Sequence, residues 1–211
     1  MIGIIDYDAG NIKSVSKAIE RLGSPVVISA DHAVLDACNA LILPGVGSFG
    51  KAVENLKQRD LISCIHRNIS SGKLLLGICL GMQLLYDTSY EDGVWQGLGL
   101  LPGTVKKFGQ PDSEPFPAEL KIPHMGWNQL LEHRRDEIGY GLTQGSYTYF
   151  VHSYYAVPGN WDHVVYYADY GVRVPAVVRS NNIIGMQFHP EKSSQAGLQL
   201  LSNFLKMEKP L

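Results

Sequence analysis

The stretch LLLGICLGMQLL, residues Leu74 to Leu85, is the part of the sequence that decides the fold. Its first residues form the apolar run of a buried strand, and its later residues have the apolar spacing of a helix. Gly77 and Gly81 flank Cys79, as in the tight strand-to-helix turn that presents a nucleophile. We predict that Cys79 is reactive, because the free N–H groups of a helix N-terminus favour the thiolate. A buried, unreactive cysteine is the alternative.

Strand and helix patterns alternate in the segment before this turn. Apolar residues spaced three and four apart predict a helix over residues 12–22, with Asn11 as its N-cap. Such alternation predicts an α/β fold with a central, mostly parallel, flavodoxin-like sheet and helices on both faces. Binding and catalytic groups should then lie at the carboxyl ends of the strands. The predicted strands are 2–5, 26–28 and 40–43, and the predicted helices are 12–22, 49–56 and 61–70.

Glycine and proline residues interrupt the sequence after the cysteine turn and its helix. The short apolar pieces between them predict loops and a smaller region of short antiparallel strands. The segment PHMGWN, residues 123–128, is predicted to be an exposed turn. Further strands are predicted over 147–157, 164–170, 176–179 and 183–188. The interrupting residues are Gly93, Gly97, Gly99, Pro102, Gly103, Pro111, Pro115, Pro117 and Pro123.

Composition limits the size of the fold and the kind of partner. The 211 residues suffice for a single α/β domain, which we place over 1–211. The 18 basic and 20 acidic residues nearly cancel, so neither nucleic acid nor an anionic membrane is an expected partner. Cys38, Cys64 and Cys79 are an odd number without C-x-x-C spacing, which argues against a disulfide framework or a zinc site. We therefore predict a cytoplasmic protein that uses no metal.

A histidine and a glutamate follow the last predicted strand, in the sequence FHPE. A thiolate nucleophile needs a general base, and the imidazole of His189 titrates in the right range. Glu191 should lie on the same side of the strand by alternation, where its carboxylate would hold the imidazole in one tautomer. His152 and His124 are the competing bases. A purely structural histidine is the alternative at each position.

GICLGMQLL and FHPE together resemble the class I glutamine amidotransferases. The resemblance implies a triad of Cys79, His189 and Glu191 that hydrolyses L-glutamine to glutamate and ammonia through a thioester. It also implies the α/β fold of that family, and no cofactor. The residues that it implies for oxyanion stabilisation and glutamine binding are Val46, Gly47, Leu80, Gln83, Glu91, Ser153 and Tyr154.

PGVGSFG, PHMGWN, FVHSY and FHPEKSS are similar to one branch of this family, the glutaminase subunits of imidazole glycerol phosphate synthases. The resemblance runs through nearly the whole chain. It implies a heterodimer in which a barrel-shaped synthase (cyclase) subunit consumes the ammonia in histidine biosynthesis. The sequence itself contains no P-loop or dinucleotide motif, so the acceptor chemistry is expected on another chain. The residues implied at the partner interface are His124, Trp127, Tyr149 and Lys192.

Two alternatives remain open at the level of the sequence. A paralogous glutaminase subunit would supply ammonia to an enzyme that amidinates a surface sugar, and the copurifying partner would identify it. A catalytically silent interaction subunit would keep the fold without the activity. A glutaminase assay in the presence of the partner would separate the silent subunit from the enzyme.

Overall fold

The computed structural model describes residues 1–8, 10–110 and 116–207. Ala9, Pro111 and Pro115 lie outside the described residues. Within the described ranges, no helix is both long and apolar enough to cross a bilayer. The same ranges contain no group of three or more His, Cys, Asp or Glu side chains that could hold a metal ion. The single domain over 1–211 and the cytoplasmic location stay predictions.

Helices and strands alternate along the first half of the chain, and strands dominate the second half. The α-helices are α1 (Ile12–Arg21), α2 (His32–Asp36), α3 (Phe49–Gln58), α4 (Leu61–Ser70), α5 (Leu80–Gln83) and α6 (Ser194–Met207). The strands are β1 (Ile2–Ile5), β2 (Val26–Ser29), β3 (Ala40–Leu43), β4 (Leu74–Ile78), β5 (Tyr86–Ser89), β6 (Trp95–Gln96), β7 (Leu101–Lys107), β8 (His124–Gln129), β9 (Leu131–Glu132), β10 (Tyr147–His152), β11 (Tyr154–Pro158), β12 (Val164–Asp169), β13 (Arg173–Ser180) and β14 (Ile183–Met186).

The main sheet has eight strands in the order β2-β1-β3-β4-β14-β13-β12-β9. Its first five strands run parallel, and the last three continue it with antiparallel pairing. The remaining strands form an antiparallel pair, β10-β8, and a four-stranded sheet, β11-β7-β5-β6. The predicted α/β fold, with a mostly parallel central sheet and a smaller antiparallel region, is confirmed. Within that smaller region β5 and β7 run parallel, which the sequence did not predict.

The core lies on both faces of the main sheet. Along β3, Leu41 and Leu43 pack in the layer that contains α3 and α4, whereas Ala40 and Ile42 pack in the layer that contains α1 and α6. Successive side chains of a strand point to opposite faces, so this strand contributes to both layers. All four residues are fully buried, as expected for a parallel strand covered on both sides.

The segment 147–157 is not the single strand that its alternation predicts. It forms β10 and β11, which pair with β8 and β7 in two different sheets. The break falls at Ser153, where the chain leaves one sheet and enters the other. A local alternation of side chains indicates extended backbone but not the pairing partner, which is why the prediction was wrong.

The prediction of an exposed turn at PHMGWN is also wrong. Residues 124–129 form β8, which pairs with β10 over its whole length. Met125 and Trp127 are 61% and 53% exposed, whereas His124 is only 2% exposed. Pairing with β10 therefore turns one face of this segment inward and leaves the other face on the surface.

The helix predicted after Cys79 is present but short, because it ends at Gln83 and the chain re-enters a strand at Tyr86. One local prediction at the first helix fails. Asn11 precedes α1, but its side chain accepts no hydrogen bond from the helix backbone. Its predicted role as a side-chain cap is therefore wrong.

Candidate active site

Cys79 lies at the tight turn between β4 and α5. Its backbone has φ 53° and ψ −110°, a conformation that L-residues rarely adopt and that stores strain. The turn also requires a glycine at position 81, because a Cβ there would lie 1.9 Å from the carbonyl oxygen of Leu43. The predicted strand-to-helix turn is confirmed, and it presents the cysteine at the carboxyl edge of the parallel strands.

His189 and Glu191 meet just beyond the end of β14. The Nδ1 atom of His189 is 2.9 Å from the Oε1 atom of Glu191, and both side chains are almost fully buried. The sequence analysis expected the two side chains to meet because alternate residues of a strand face the same side, and this reason is wrong. A short 3₁₀ turn over Pro190–Lys192 folds the glutamate back against the imidazole instead.

The environment of His189 favours its charged form. Burial by itself lowers the pKa of the imidazole, but interactions with Cys79 and then with Glu191 outweigh it and raise the pKa to about 9. An imidazolium beside a cysteine stabilises the thiolate and can donate a proton to a leaving group. The site therefore places a thiol, a charged imidazole and a carboxylate side by side.

A cavity of about 380 Å³ opens at this edge of the sheet. It brings Cys79 and His189 together with every residue that the sequence analysis implies for oxyanion stabilisation or glutamine binding. Glu191 lies behind His189 and does not line it. The lining residues are Val46, Gly47, Cys79, Leu80, Gln83, Glu91, Pro123, Val151, His152, Ser153, Tyr154 and His189.

The sequence pattern of a known family covers almost the whole chain. The family described as glutamine amidotransferase class-I matches residues 3–207. The chain belongs to the class I glutamine amidotransferases. Cys79 and His189 in one cavity, with Glu191 behind the histidine, are consistent with the chemistry that its name describes.

Curated relatives and solved structures agree with this assignment. The imidazole glycerol phosphate synthase subunit HisH of Bacillus subtilis (strain 168) is 51% identical over 207 residues, which are 98% of this chain and 96% of the relative. The protein of the same name from Aquifex aeolicus (strain VF5) is 46% identical over 209 residues, 99% and 97% of the two chains. A crystal structure described as a glutamine amidotransferase has a TM-score of 0.73 at 19% identity and covers 98% of each chain. At that identity the last comparison supports the fold alone.

Hydrogen bonds fix the walls of the cavity in this amidotransferase. The Oε2 atom of Glu91 accepts a hydrogen bond from the N–H of Phe49 at 2.8 Å, which ties the glutamate to the first residue of α3. Burial raises the pKa of Glu91. On another wall, the amide nitrogen of Gln83 donates to the carbonyl oxygen of Tyr154 at 2.8 Å and to Oε1 of Gln187 at 3.1 Å. These hydrogen bonds hold the side chains of Glu91 and Gln83 in place on the cavity wall.

The residues implied at the partner interface do not all lie on the surface. Trp127 is 53% exposed and packs edge-on against Tyr149, with 6.1 Å between the ring centroids, and Lys192 is exposed. His124 is buried and cannot contact a partner directly, so its assignment to the interface is corrected. Its position on the inward face of β8 is the physical reason.

His152, one of the competing bases, uses both ring nitrogens inside the protein. Its Nδ1 atom is 2.9 Å from the carbonyl oxygen of Tyr154, and its Nε2 atom is 3.1 Å from Nδ1 of His124. The Nε2 atom of His124 is in turn 3.2 Å from the amide nitrogen of Asn128. The two histidines form a buried hydrogen-bonded pair, and neither has a ring nitrogen available for the substrate.

Some residues of the site went unnoticed in the sequence. The amide nitrogen of Gln187 lies 3.8 Å from the sulfur of Cys79, and the amide of Asn11 donates to Oε1 of Glu191. Pro123 and Val151 line the cavity. Gln187 stands two positions before His189, a spacing that could have suggested it. No sequence signal connects Asn11 to residue 191.

Proposed function

We propose that the chain is the glutaminase subunit of an imidazole glycerol phosphate synthase, and that Cys79, His189 and Glu191 are its catalytic triad. The observation that supports the triad best is the strained turn of Cys79, which faces the same cavity as the imidazole that Glu191 orients. The relatives bearing the HisH name support the synthase assignment over the surface-sugar alternative.

The proposed reaction begins when the Cys79 thiolate attacks the side-chain amide carbon of glutamine. A tetrahedral oxyanion forms, and backbone N–H groups near Leu80 and the loop with Val46 and Gly47 stabilise it. The imidazolium of His189 gives its proton to the amide nitrogen, the C–N bond breaks, and ammonia leaves. Water then adds to the thioester while His189 accepts a proton. Glutamate departs and the cysteine is regenerated.

A labelling experiment tests the nucleophile. A glutamine-like electrophile should modify Cys79, which lines the cavity, and should spare Cys38 and Cys64, which are fully buried. Peptide mass spectrometry after a time course measures all three thiols in one sample. Modification of Cys38 or Cys64 at a comparable rate would contradict the assignment.

The division of labour between two chains is tested with Cys79→Ala. In the complex with the copurified synthase subunit, this variant should lose glutamine-dependent product formation and keep most of the synthesis from ammonium salts. Cys64→Ala, in which the altered residue lies away from the cavity, is the matched control and should retain both activities. Loss of both activities in Cys79→Ala alone would mean that Cys79 serves the fold or the interface.

The proposed partner is a barrel-shaped synthase (cyclase) subunit bound as a heterodimer. It would use the ammonia to form imidazole glycerol phosphate and an aminoimidazole carboxamide ribotide in histidine biosynthesis. The exposed aromatic ring of Trp127, with Tyr149 and Lys192, is the proposed contact surface. Trp127→Ala should weaken the heterodimer in a titration by calorimetry, since large aromatic anchors carry much of the energy of an interface. Unchanged affinity would place the contact elsewhere.

A further inference from the structure

The side chain of Asn11 contacts the carboxylate of the proposed triad from across the fold. Asn11 precedes α1, whereas Glu191 follows β14, and 180 positions separate them in the chain. The Nδ2 atom of Asn11 lies 2.5 Å from Oε1 of Glu191, the same oxygen that faces Nδ1 of His189 at 2.9 Å. One carboxylate oxygen therefore receives two donors from different elements.

Glu191 depends on these donors because its carboxylate is buried. Only 1% of its side chain is exposed. Its second oxygen, Oε2, is buried and has no hydrogen-bond partner among the described residues. A buried carboxylate is costly unless hydrogen bonds compensate for the lost water. Removal of Asn11 would leave His189 as the one hydrogen-bond partner of the carboxylate among the described residues, and the carboxylate could then rotate about its terminal bond.

The side chain of Asn11 serves Glu191 instead of its own helix. Residues at this position usually cap the helix, as Asp31 does for α2, where Oδ1 accepts from the N–H of Ala33 at 2.8 Å. Asn11 forms no such bond, and its backbone has φ 71°. Asparagine tolerates this left-handed conformation better than most residues and also supplies an amide donor. Glycine offers the first property alone, and aspartate offers the shape without the donor.

We infer that Asn11 is a positioning residue of the glutaminase, whose amide fixes the Glu191 carboxylate and, through it, the orientation of His189. This inference rests on the proposed triad. Asn11 does not line the cavity, so its removal should leave glutamine binding unchanged. The effect should appear in the step that moves a proton, which is measured by kcat.

The test uses the complex of the full chain with its synthase subunit and measures hydrolysis of L-glutamine. Asn11→Gly should lower kcat about tenfold to a hundredfold, the equivalent of one hydrogen bond to a charged group, with KM within about twofold. Asn11→Asp should lower kcat more than Asn11→Gly does, because the aspartate turns an acceptor towards the acceptor oxygen of Glu191. A merely structural role predicts the reverse order, since aspartate keeps the shape.

Asn181→Gly is the matched control. Asn181 is exposed, also has a left-handed backbone with φ 52°, and lies outside the cavity, so this variant should keep the wild-type kcat. Wild-type kcat in Asn11→Gly, a higher KM without a loss in kcat, or Asn11→Asp more active than Asn11→Gly would each overturn the inference.

Cys79→Ala in the same assay separates the proposed triad from the role of Asn11. If it still hydrolyses glutamine, the proposed triad fails. If it is inactive while Asn11→Gly keeps the wild-type kcat, only the role of Asn11 fails.

Discussion

His189 and His152 line the same cavity, and both are almost fully buried, yet their ionisation is opposite. The pKa of His189 is raised to about 9, whereas the pKa of His152 is lowered to about 3. Burial opposes the charged form in both cases. The difference comes from the neighbours, since His189 has Cys79 and Glu191 beside it and His152 has a second imidazole and a backbone carbonyl.

The His152–His124 pair is a neutral structural unit. Burial lowers the pKa of His124 to about 4, and its ring stacks on Tyr170 and on Phe150, with centroid distances of 3.9 and 4.6 Å. Both rings stay uncharged near neutral pH, and their hydrogen bonds hold the carbonyl of Tyr154 in place. Burial lowers the pKa of both imidazoles, and only His189 has the thiol and carboxylate neighbours that reverse this effect.

The comparison is tested most strongly by the same substitution at both positions. His189→Asn should reduce kcat for glutamine hydrolysis by about 10²- to 10⁴-fold, because it removes the proposed general acid and base. His152→Asn keeps a side-chain amide near the carbonyl of Tyr154 and should reduce kcat far less. Steady-state kinetics of the two variants in the complex measures the difference. Equal losses would mean that His152 also takes part in proton transfer.

Glu191→Gln tests the source of the charge on His189. The substitution removes a carboxylate that raises the pKa of the imidazole, so the pKa should fall below about 9 while the side chain keeps its size. We expect kcat to fall about tenfold or more, by the loss of a charged hydrogen bond. An NMR titration of labelled histidine rings follows the pKa directly. An unchanged pKa would show that Cys79 alone maintains the imidazolium.

Acid unfolding tests the neutral pair. The folded-state pKa values of His152 and His124 lie below the ordinary value of 6.5, so the stability they contribute is present above pH 6.5 and is lost as the pH falls towards about 4. Between pH 7.5 and pH 5 each should account for a loss of about 1–2 kcal/mol in the free energy of unfolding. His152→Asn should therefore lose less stability over this range than the wild type, measured by urea denaturation.

The contribution of His189 to the free energy of unfolding changes with pH in the opposite direction. Its folded-state pKa is raised, so its stabilisation is full below pH 6.5 and disappears as the pH rises through about 9. His189→Asn should therefore lose less stability than the wild type at alkaline pH, and as much as the wild type at acid pH. Identical pH dependences in the wild type and in both variants would break the comparison.

The sequence by itself determined the features that depend on local spacing. The bounds predicted for residues 2–5, 40–43 and 61–70 match β1, β3 and α4. An unbroken apolar run indicates a strand that is buried on both faces, and apolar residues three and four apart indicate the buried side of a helix. The glycines around Cys79 predicted its tight turn, because the turn has no room for a side chain at those positions and the sequence shows this locally.

Only the tertiary structure decided which distant residues meet. It split the segment 147–157 between two sheets, turned His124 inward, and placed Asn11 against Glu191. Strand pairing and contacts between turns depend on how whole elements pack, and the alternation within one strand is the same for every possible partner. The sequence could therefore single out Cys79, His189 and Glu191, whereas the bond between Asn11 and Glu191 and the charge states of the histidines depend on contacts between elements far apart in the chain.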